Sequence, residues 1–163
     1  MKVKYSQQEV NTCIHNIIKM MFDDNFKPDY IVGLSRGGLI PAVQLSHYLG
    51  LPMRTLKVSL SDKNESESNS GMAEDAFGYD SKPKNILIID DICDTGATFE
   101  WIMRDWESDW NLNKDRTDVW HNNVRFASLI YNDASKFDID YYGYEINKDE
   151  TPEWCVFPWE NWW

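Results

Sequence analysis

Three carboxylates, Asp90, Asp91 and Asp94, stand within the fourteen-residue stretch NILIIDDICDTGAT, Asn85 to Thr98. The first two are adjacent, and the third opens a Thr95-Gly96-Ala97-Thr98 turn. Ahead of them Ile86, Leu87, Ile88 and Ile89 form an unbroken apolar run, β-branched at three positions, which suits a strand covered on both faces. Behind them a helix begins, so backbone N–H groups and the positive end of the helix converge where the turn lies. Such a point holds a phosphate. A second loop has a related design: Ser35-Arg36-Gly37-Gly38 breaks the short apolar run Tyr30 to Leu34 and leads into a helix with Pro41 in its first turn. Paired glycines let a ligand approach the main chain, and Arg36 adds a cation able to bind an anion through two parallel hydrogen bonds. Each loop taken alone has a plainer reading. Adjacent carboxylates also form ordinary turns, and Ser35 to Gly38 alone could be a tight βα turn with a surface arginine.

The elements that must position these loops can be read in order. Ser6 and Glu9 have the spacing of a capping box, and Val10, Ile14, Ile17, Ile18, Met21 and Phe22 recur at helical intervals, which predicts an amphipathic helix over Ser6 to Phe22. Met53 to Ser59 alternates as a strand. Ser61 to Lys84 is polar and without sustained periodicity, and is expected to be a long mobile loop, either a lid over a site or a solvated insertion. A helix is expected from Ala97 to Trp110, a polar connection from Asn111 to Asn123, and strands over Val124 to Tyr131 and Ile139 to Ile146. Pro158 limits helix in the closing WCVFPWENWW. Alternating strands and helices of this kind predict an α/β fold, a mainly parallel twisted sheet flanked by helices.

At 163 residues one domain is expected over the whole chain. Twenty-seven acidic against sixteen basic residues give a net charge of −11, which argues against general affinity for nucleic acid or an anionic membrane and points to a small ligand. Cys13, Cys93 and Cys155 have no metal-ligand spacing, and their odd number suits a reducing cytoplasm better than a disulfide framework. No basic n-region with an apolar run appears at Met1 to Tyr5, so neither export nor membrane insertion is expected. Eight tryptophans, with Trp154, Trp159, Trp162 and Trp163 near the end, suggest a dense core and a self-association surface.

Taken together, the two βα loops and the polar segment between them resemble the type I phosphoribosyltransferases. LIIDDICDTGAT is similar to that family's phosphoribosyl pyrophosphate (PRPP) motif. IVGLSRGGLIPAVQLSHYLGLP and the terminal EWCVFPWE are similar to the pyrophosphate loop and the base-binding segment of the bacterial xanthine-guanine phosphoribosyltransferases, so the likeness extends from Tyr30 to Glu160. The resemblance implies the type I phosphoribosyltransferase fold with a flexible lid (60–84) and a small C-terminal hood (139–163). It implies a Mg²⁺- and PRPP-dependent enzyme of purine salvage, transferring the phosphoribosyl group to a free nucleobase, a 6-oxopurine first of all, with release of pyrophosphate. It also implies a homo-oligomer, a dimer or tetramer. The same fold serves non-catalytic PRPP or nucleotide sensors and enzymes for pyrimidines or unusual bases, which stand as alternatives.

Residue roles follow from the resemblance at the matching positions. Thr95, Gly96, Ala97 and Thr98 would cradle the 5′-phosphate. Asp90 and Asp91 would accept from the ribose hydroxyls and help hold Mg²⁺. Ser35, Arg36, Gly37 and Gly38 would take the pyrophosphate, with a cis or strained peptide near Arg36-Gly37. Asp94 would border PRPP and act as general base toward the nucleobase, Trp154 would stack on the ring, and the backbone at Cys155 would meet its edge. The relatives carry a lysine that reads the 6-oxo group where this chain has Asn132, with Lys136 four residues on. The lid lacks the family's usual arginine, and Lys63, Lys82 or Lys84 would be the cation to stand in for it.

Overall fold

Ser6 opens the first helix as the S-x-x-E spacing predicts. In the computed structural model, which describes residues 1–60, 70–79, 81–108 and 118–160, α1 spans Gln7–Asp23, with Ser6 accepting from the Glu9 amide and Glu9 from the Ser6 amide. A short strand precedes it, β1 (Lys2–Lys4). The chain then forms β2 (Tyr30–Ser35), α2 (Leu39–Leu49), β3 (Met53–Lys57), α3 (Ser70–Phe77), β4 (Ile86–Cys93), α4 (Ala97–Ser108), β5 (Val124–Asn132), β6 (Tyr141–Ile146) and β7 (Trp154–Val156).

Five strands make the main sheet in the order β3-β2-β4-β5-β6, and every pairing in it is parallel. Strand side chains alternate between its faces, as the period of two requires. Tyr30, Val32, Leu34, Ile86 and Ile88 join a core with α3, α4 and Phe137, while Ile31, Leu87 and Ile89 join a second core with α1 and α2. Both faces are therefore covered, which is why β4 reads as a continuous apolar run. From β2 the chain winds outward to β3 and then returns to place β4 on the other side of β2. The strand order reverses there, and the carboxyl ends of β2 and β4 lie side by side at a switch point of the kind where open α/β sheets bind ligands.

Several expectations need correction. The expected loop from Ser61 to Lys84 contains α3: Met72, Ala73, Ala76 and Phe77 are buried on one face of it. Asp75 fixes that helix to the sheet, accepting from the Tyr30 hydroxyl at 2.8 Å and pairing with Lys84 at 3.2 Å and Arg54 at 3.4 Å. Lys84 is thereby a strut of the fold, Lys82 is exposed, and Lys63 lies outside the described residues with the rest of 61–69. The connection at 109–117 and the closing residues 161–163, which include Trp162 and Trp163, lie outside them too. The supposed hood is also smaller than 139–163, because β6 is an edge strand of the main sheet, paired with β5 from Ala127↔Tyr141 to Asn132↔Ile146. Only β7 stands apart, and its partner is β1, in parallel register Lys2↔Trp154, Val3↔Cys155, Lys4↔Val156. Among the described residues no helix is long and apolar enough to cross a membrane.

Candidate active site

β4 runs on through both carboxylates to Cys93 instead of ending before them, because β5 is long enough to pair with it there, Asp90↔Ser128 through Cys93↔Tyr131. Asp90 and Asp91 are thus held by a rigid ladder. Each also turns its carboxylate onto a following amide: Asp90 Oδ1 accepts from Asp91 N at 2.9 Å, and Asp91 Oδ1 from Ile92 N at 2.8 Å. Burial pushes the Asp90 carboxyl well above the usual carboxylate range, and the neighbouring Asp91 charge adds to it. Asp91 is raised as well, chiefly by burial, with the Glu160 charge contributing in the same direction. This is a crowded negative pocket that a cation would relieve.

The second loop closes against it. Ser35 is the last residue of β2, Arg36 is exposed, and Gly38 is the N-cap of α2 with no side-chain cap, its amide donating to the Leu34 carbonyl at 2.9 Å and that of Leu39 to the Arg36 carbonyl at 3.1 Å. The Ser35–Arg36 peptide is cis, one bond before the expected position. Gly37 sits so near Asp91 that a Cβ would collide with the carboxylate unless that side chain moved, so the two loops touch there. Between them lies a cavity of about 540 Å³ lined by Arg36, Gly37, Ile40, Asp91, Trp159 and Glu160. Glu160 is aimed by its own turn, its Oε2 accepting from the Phe157 amide at 2.6 Å.

Thr95, Gly96, Ala97 and Thr98 line an adjoining cavity of about 190 Å³ with Asp90 and Asp94. Gly96 adopts φ of +82°, which favours glycine, and packs on Phe137 from the connection after β5. Ala97 and Thr98 form the first turn of α4, and the Thr95 hydroxyl accepts from the Ala97 amide at 3.2 Å. Cys93, beneath this loop, is buried, and burial pushes its thiol up to about 12, so it is an inert packing group.

At the other end of the site the arrangement departs from the expected one. Asn132, the last residue of β5, is 6% exposed. Its Nδ2 donates to the Asp94 carbonyl at 3.0 Å and to Asp94 Oδ1 at 3.2 Å, and its Oδ1 accepts from the Ala134 and Lys148 amides at 3.3 and 3.0 Å. With every amide position engaged it holds Asp94 and does not face a base. Lys136 is exposed. The cation beside Asp94 is instead Lys148, from the turn after β6, whose Nζ lies 2.9 Å from Asp94 Oδ2. Cys155, in β7, has its thiol pushed up by burial first, with the charges of Lys148 and Asp94 acting on it in opposite directions. Trp154 is 67% exposed.

Lys148 and Glu160 are the two site residues that sequence reasoning passed over. Glu160 had a signal, as the acid of the Pro158-Trp159-Glu160 run. Lys148 had none short of knowing that β6 lies parallel to β5, which brings the turns after both strands to the same end of the sheet. Among the described residues no three His, Cys, Asp or Glu side chains group as a closed metal site.

Comparison with known proteins agrees with this architecture. A xanthine-guanine phosphoribosyltransferase of Desulfotalea psychrophila is 27% identical over 143 residues, 87% of this chain and 75% of that protein. A hypoxanthine-guanine phosphoribosyltransferase of Schizosaccharomyces pombe is 25% identical, covering 98% of this chain and 89% of that one. The crystal structure of a purine phosphoribosyltransferase from Pyrococcus horikoshii superposes with a TM-score of 0.70 at 29% identity, over 98% of this chain and 94% of that chain. The phosphoribosyl transferase domain family matches residues 3–161, and with the two loops meeting at the β2/β4 switch point the chain belongs to that family.

Proposed function

We propose that this phosphoribosyltransferase moves the phosphoribosyl group of PRPP onto a ring nitrogen of a free 6-oxopurine, forming a nucleoside 5′-monophosphate and pyrophosphate. The observation that carries the reading is the contact of Gly37 with Asp91, which makes one site of two loops suited to opposite ends of a doubly phosphorylated sugar. Thr95 to Thr98 and the start of α4 take the 5′-phosphate. Ser35 to Gly38 take the pyrophosphate, with the exposed Arg36 meeting the charge that departs with it. Asp90 and Asp91 would face the ribose hydroxyls and hold Mg²⁺, with Glu160 across the cavity that Asp91 lines. When bound, Mg²⁺ neutralises charge building on the leaving pyrophosphate.

The anomeric carbon becomes oxocarbenium-like as pyrophosphate leaves, and a base nitrogen then bonds to it. The proton lost by the base goes to Asp94, the carboxylate that Asn132 holds in place. β7 supplies the exposed Trp154 ring for stacking and the Cys155 backbone for the base edge.

The self-association expected of the molecule finds its support on the α1/α2 face, where Phe22, Tyr48 and Val43 are 63%, 62% and 42% exposed. A cytoplasmic location is consistent with Cys13, Cys93 and Cys155 all being free thiols. The test of the activity is a screen of guanine, xanthine, hypoxanthine, adenine, uracil and orotate for pyrophosphate release with PRPP and Mg²⁺. Release with the 6-oxopurines supports the proposal; release only with a pyrimidine, or with none, overturns it.

A further inference from the structure

Asp94 is engaged through both carboxylate oxygens. Oδ1 accepts from Asn132, which has no donor left to offer, and Oδ2 accepts from Lys148. An ammonium has three donors, and among the described residues the only acceptor Lys148 Nζ reaches is Asp94. Its side chain is 21% exposed while that of Asp94 is 46% exposed, so the pair lies at the site's margin, partly open to solvent. The Lys148 backbone is fixed as well, its amide donating to Asn132 Oδ1 at 3.0 Å. The charges of both groups reach Cys155 in β7, the strand proposed to border the base.

We propose that Lys148 is the residue that reads the nucleobase, donating to the 6-oxo group while Asp94 accepts from the neighbouring ring N–H. The two positions are next to each other on one purine edge, and Lys148 and Asp94 present a donor and an acceptor 2.9 Å apart. The ion pair also gives the base a defined way in: as the ring arrives, Lys148 transfers a hydrogen bond from Asp94 to the carbonyl, and the freed oxygen turns to the ring N–H. A 6-amino purine brings a donor to the position facing the ammonium, so it is refused by an unfavourable contact as well as by a missing one. The inference rests on the phosphoribosyl-transfer reading for what enters the site, and it moves base recognition from Asn132 to a residue sixteen positions later on a different turn.

The test pairs Lys148→Gln with Lys148→Arg. Calorimetry measures binding of inosine 5′-monophosphate and, separately, of PRPP with Mg²⁺, and steady-state assays give kcat and KM for hypoxanthine and adenine. K148Q is expected to weaken inosine monophosphate by about tenfold or more, the scale of losing a charge-assisted hydrogen bond, with PRPP binding unchanged. Its preference for hypoxanthine over adenine in kcat/KM should fall by a similar factor, and K148R should recover part of both. If Lys148 only holds Asp94, K148Q lowers kcat equally for both bases and leaves inosine monophosphate binding alone, which overturns the proposal. Lys148→Met gives the same readouts should the glutamine variant fail to fold. A wild type that releases no pyrophosphate with any base, yet binds inosine monophosphate through Lys148, breaks the transfer reading and keeps this contact. An active wild type with an unaltered K148Q breaks this inference alone, and a wild type that binds neither ligand breaks both.

Discussion

Asp90, within β4, and Asp94, just past its end, are four residues apart, yet their surroundings prepare them for different tasks. Asp94 is half exposed and held by Asn132 and Lys148, so it can be reached by a base without the fold depending on its charge. Asp94→Asn should therefore leave the circular dichroism spectrum unchanged and lower turnover by at least about a hundredfold, the usual scale for a lost general base; near-normal turnover would remove it from the chemistry. Asp90 is the reverse case. Its carboxyl is raised by burial and by Asp91, so the folded protein binds protons there more tightly than the unfolded chain does, whose aspartates titrate near about 4. By linkage this contribution to stability is fully present below the unfolded value and is lost as pH rises through the folded one. Asp90→Asn should accordingly match the ligand-free wild type in Tm near pH 4 and exceed it by about 2–4 °C at pH 7, the shift expected for about 1 kcal/mol in a domain of this size. The same variant should lose the thermal shift that PRPP and Mg²⁺ give the wild type.

Among the elements, α3 is where the fold was hardest to foresee and where it can be tested simply. Met72 is 2% exposed between this helix and the sheet, and Met72→Ala should destabilise the protein by about 2–5 kcal/mol in chemical denaturation. A change under about 0.5 kcal/mol would mean that α3 is not docked. The long periodic elements could be read from the chain directly: the Ser6–Glu9 box, the α1 apolar face and the β4 run each repeat one local rule over enough residues to stand out. α3 does not. Its apolar positions Met72, Ala73, Ala76 and Phe77 cover only two turns within a polar stretch, and an isolated helix of that length is not stable in water, so it exists because the sheet is there to cover it. β1 is three residues long and has meaning only once β7 lies beside it. The Asp94 clamp was hidden for the same reason, since its partners lie 38 and 54 residues away and meet only through the parallel pairing of β5 with both β4 and β6. What local pattern and motif supplied was the two loops proposed to hold PRPP, each contiguous in sequence; what they could not supply was the end proposed for the base, assembled from three separate turns.

At the scale of the molecule, the tryptophans divide between core and surface in a way composition did not reveal. Trp106 is fully buried and Trp120 packs against it at 5.9 Å between ring centres, so part of the aromatic surplus fills the α4 side of the sheet. The exposed apolar face belongs to α1 and α2, beside a cavity of about 500 Å³ that His15, Val43, Gln44 and Tyr48 help to line. Light scattering should find a dimer or larger assembly, and pairing Phe22→Glu with Tyr48→Glu should reduce it to the monomer; an unchanged mass would exclude this face. The β1/β7 ribbon has a different consequence. It joins residues 2–4 to residues 154–156 with backbone bonds such as Trp154 N to Met1 O at 2.8 Å and Tyr5 N to Val156 O at 2.9 Å. A two-stranded ribbon this short has little stability of its own, while β4 is the central strand of five. Hydrogen exchange should therefore show the amides of Trp154 and Tyr5 exchanging through local opening, far faster than those of Ile88 and Ile89, which await global unfolding. The phosphate end of the site would then persist in molecules whose base end has come apart, and the nucleotide product could be let go ring first.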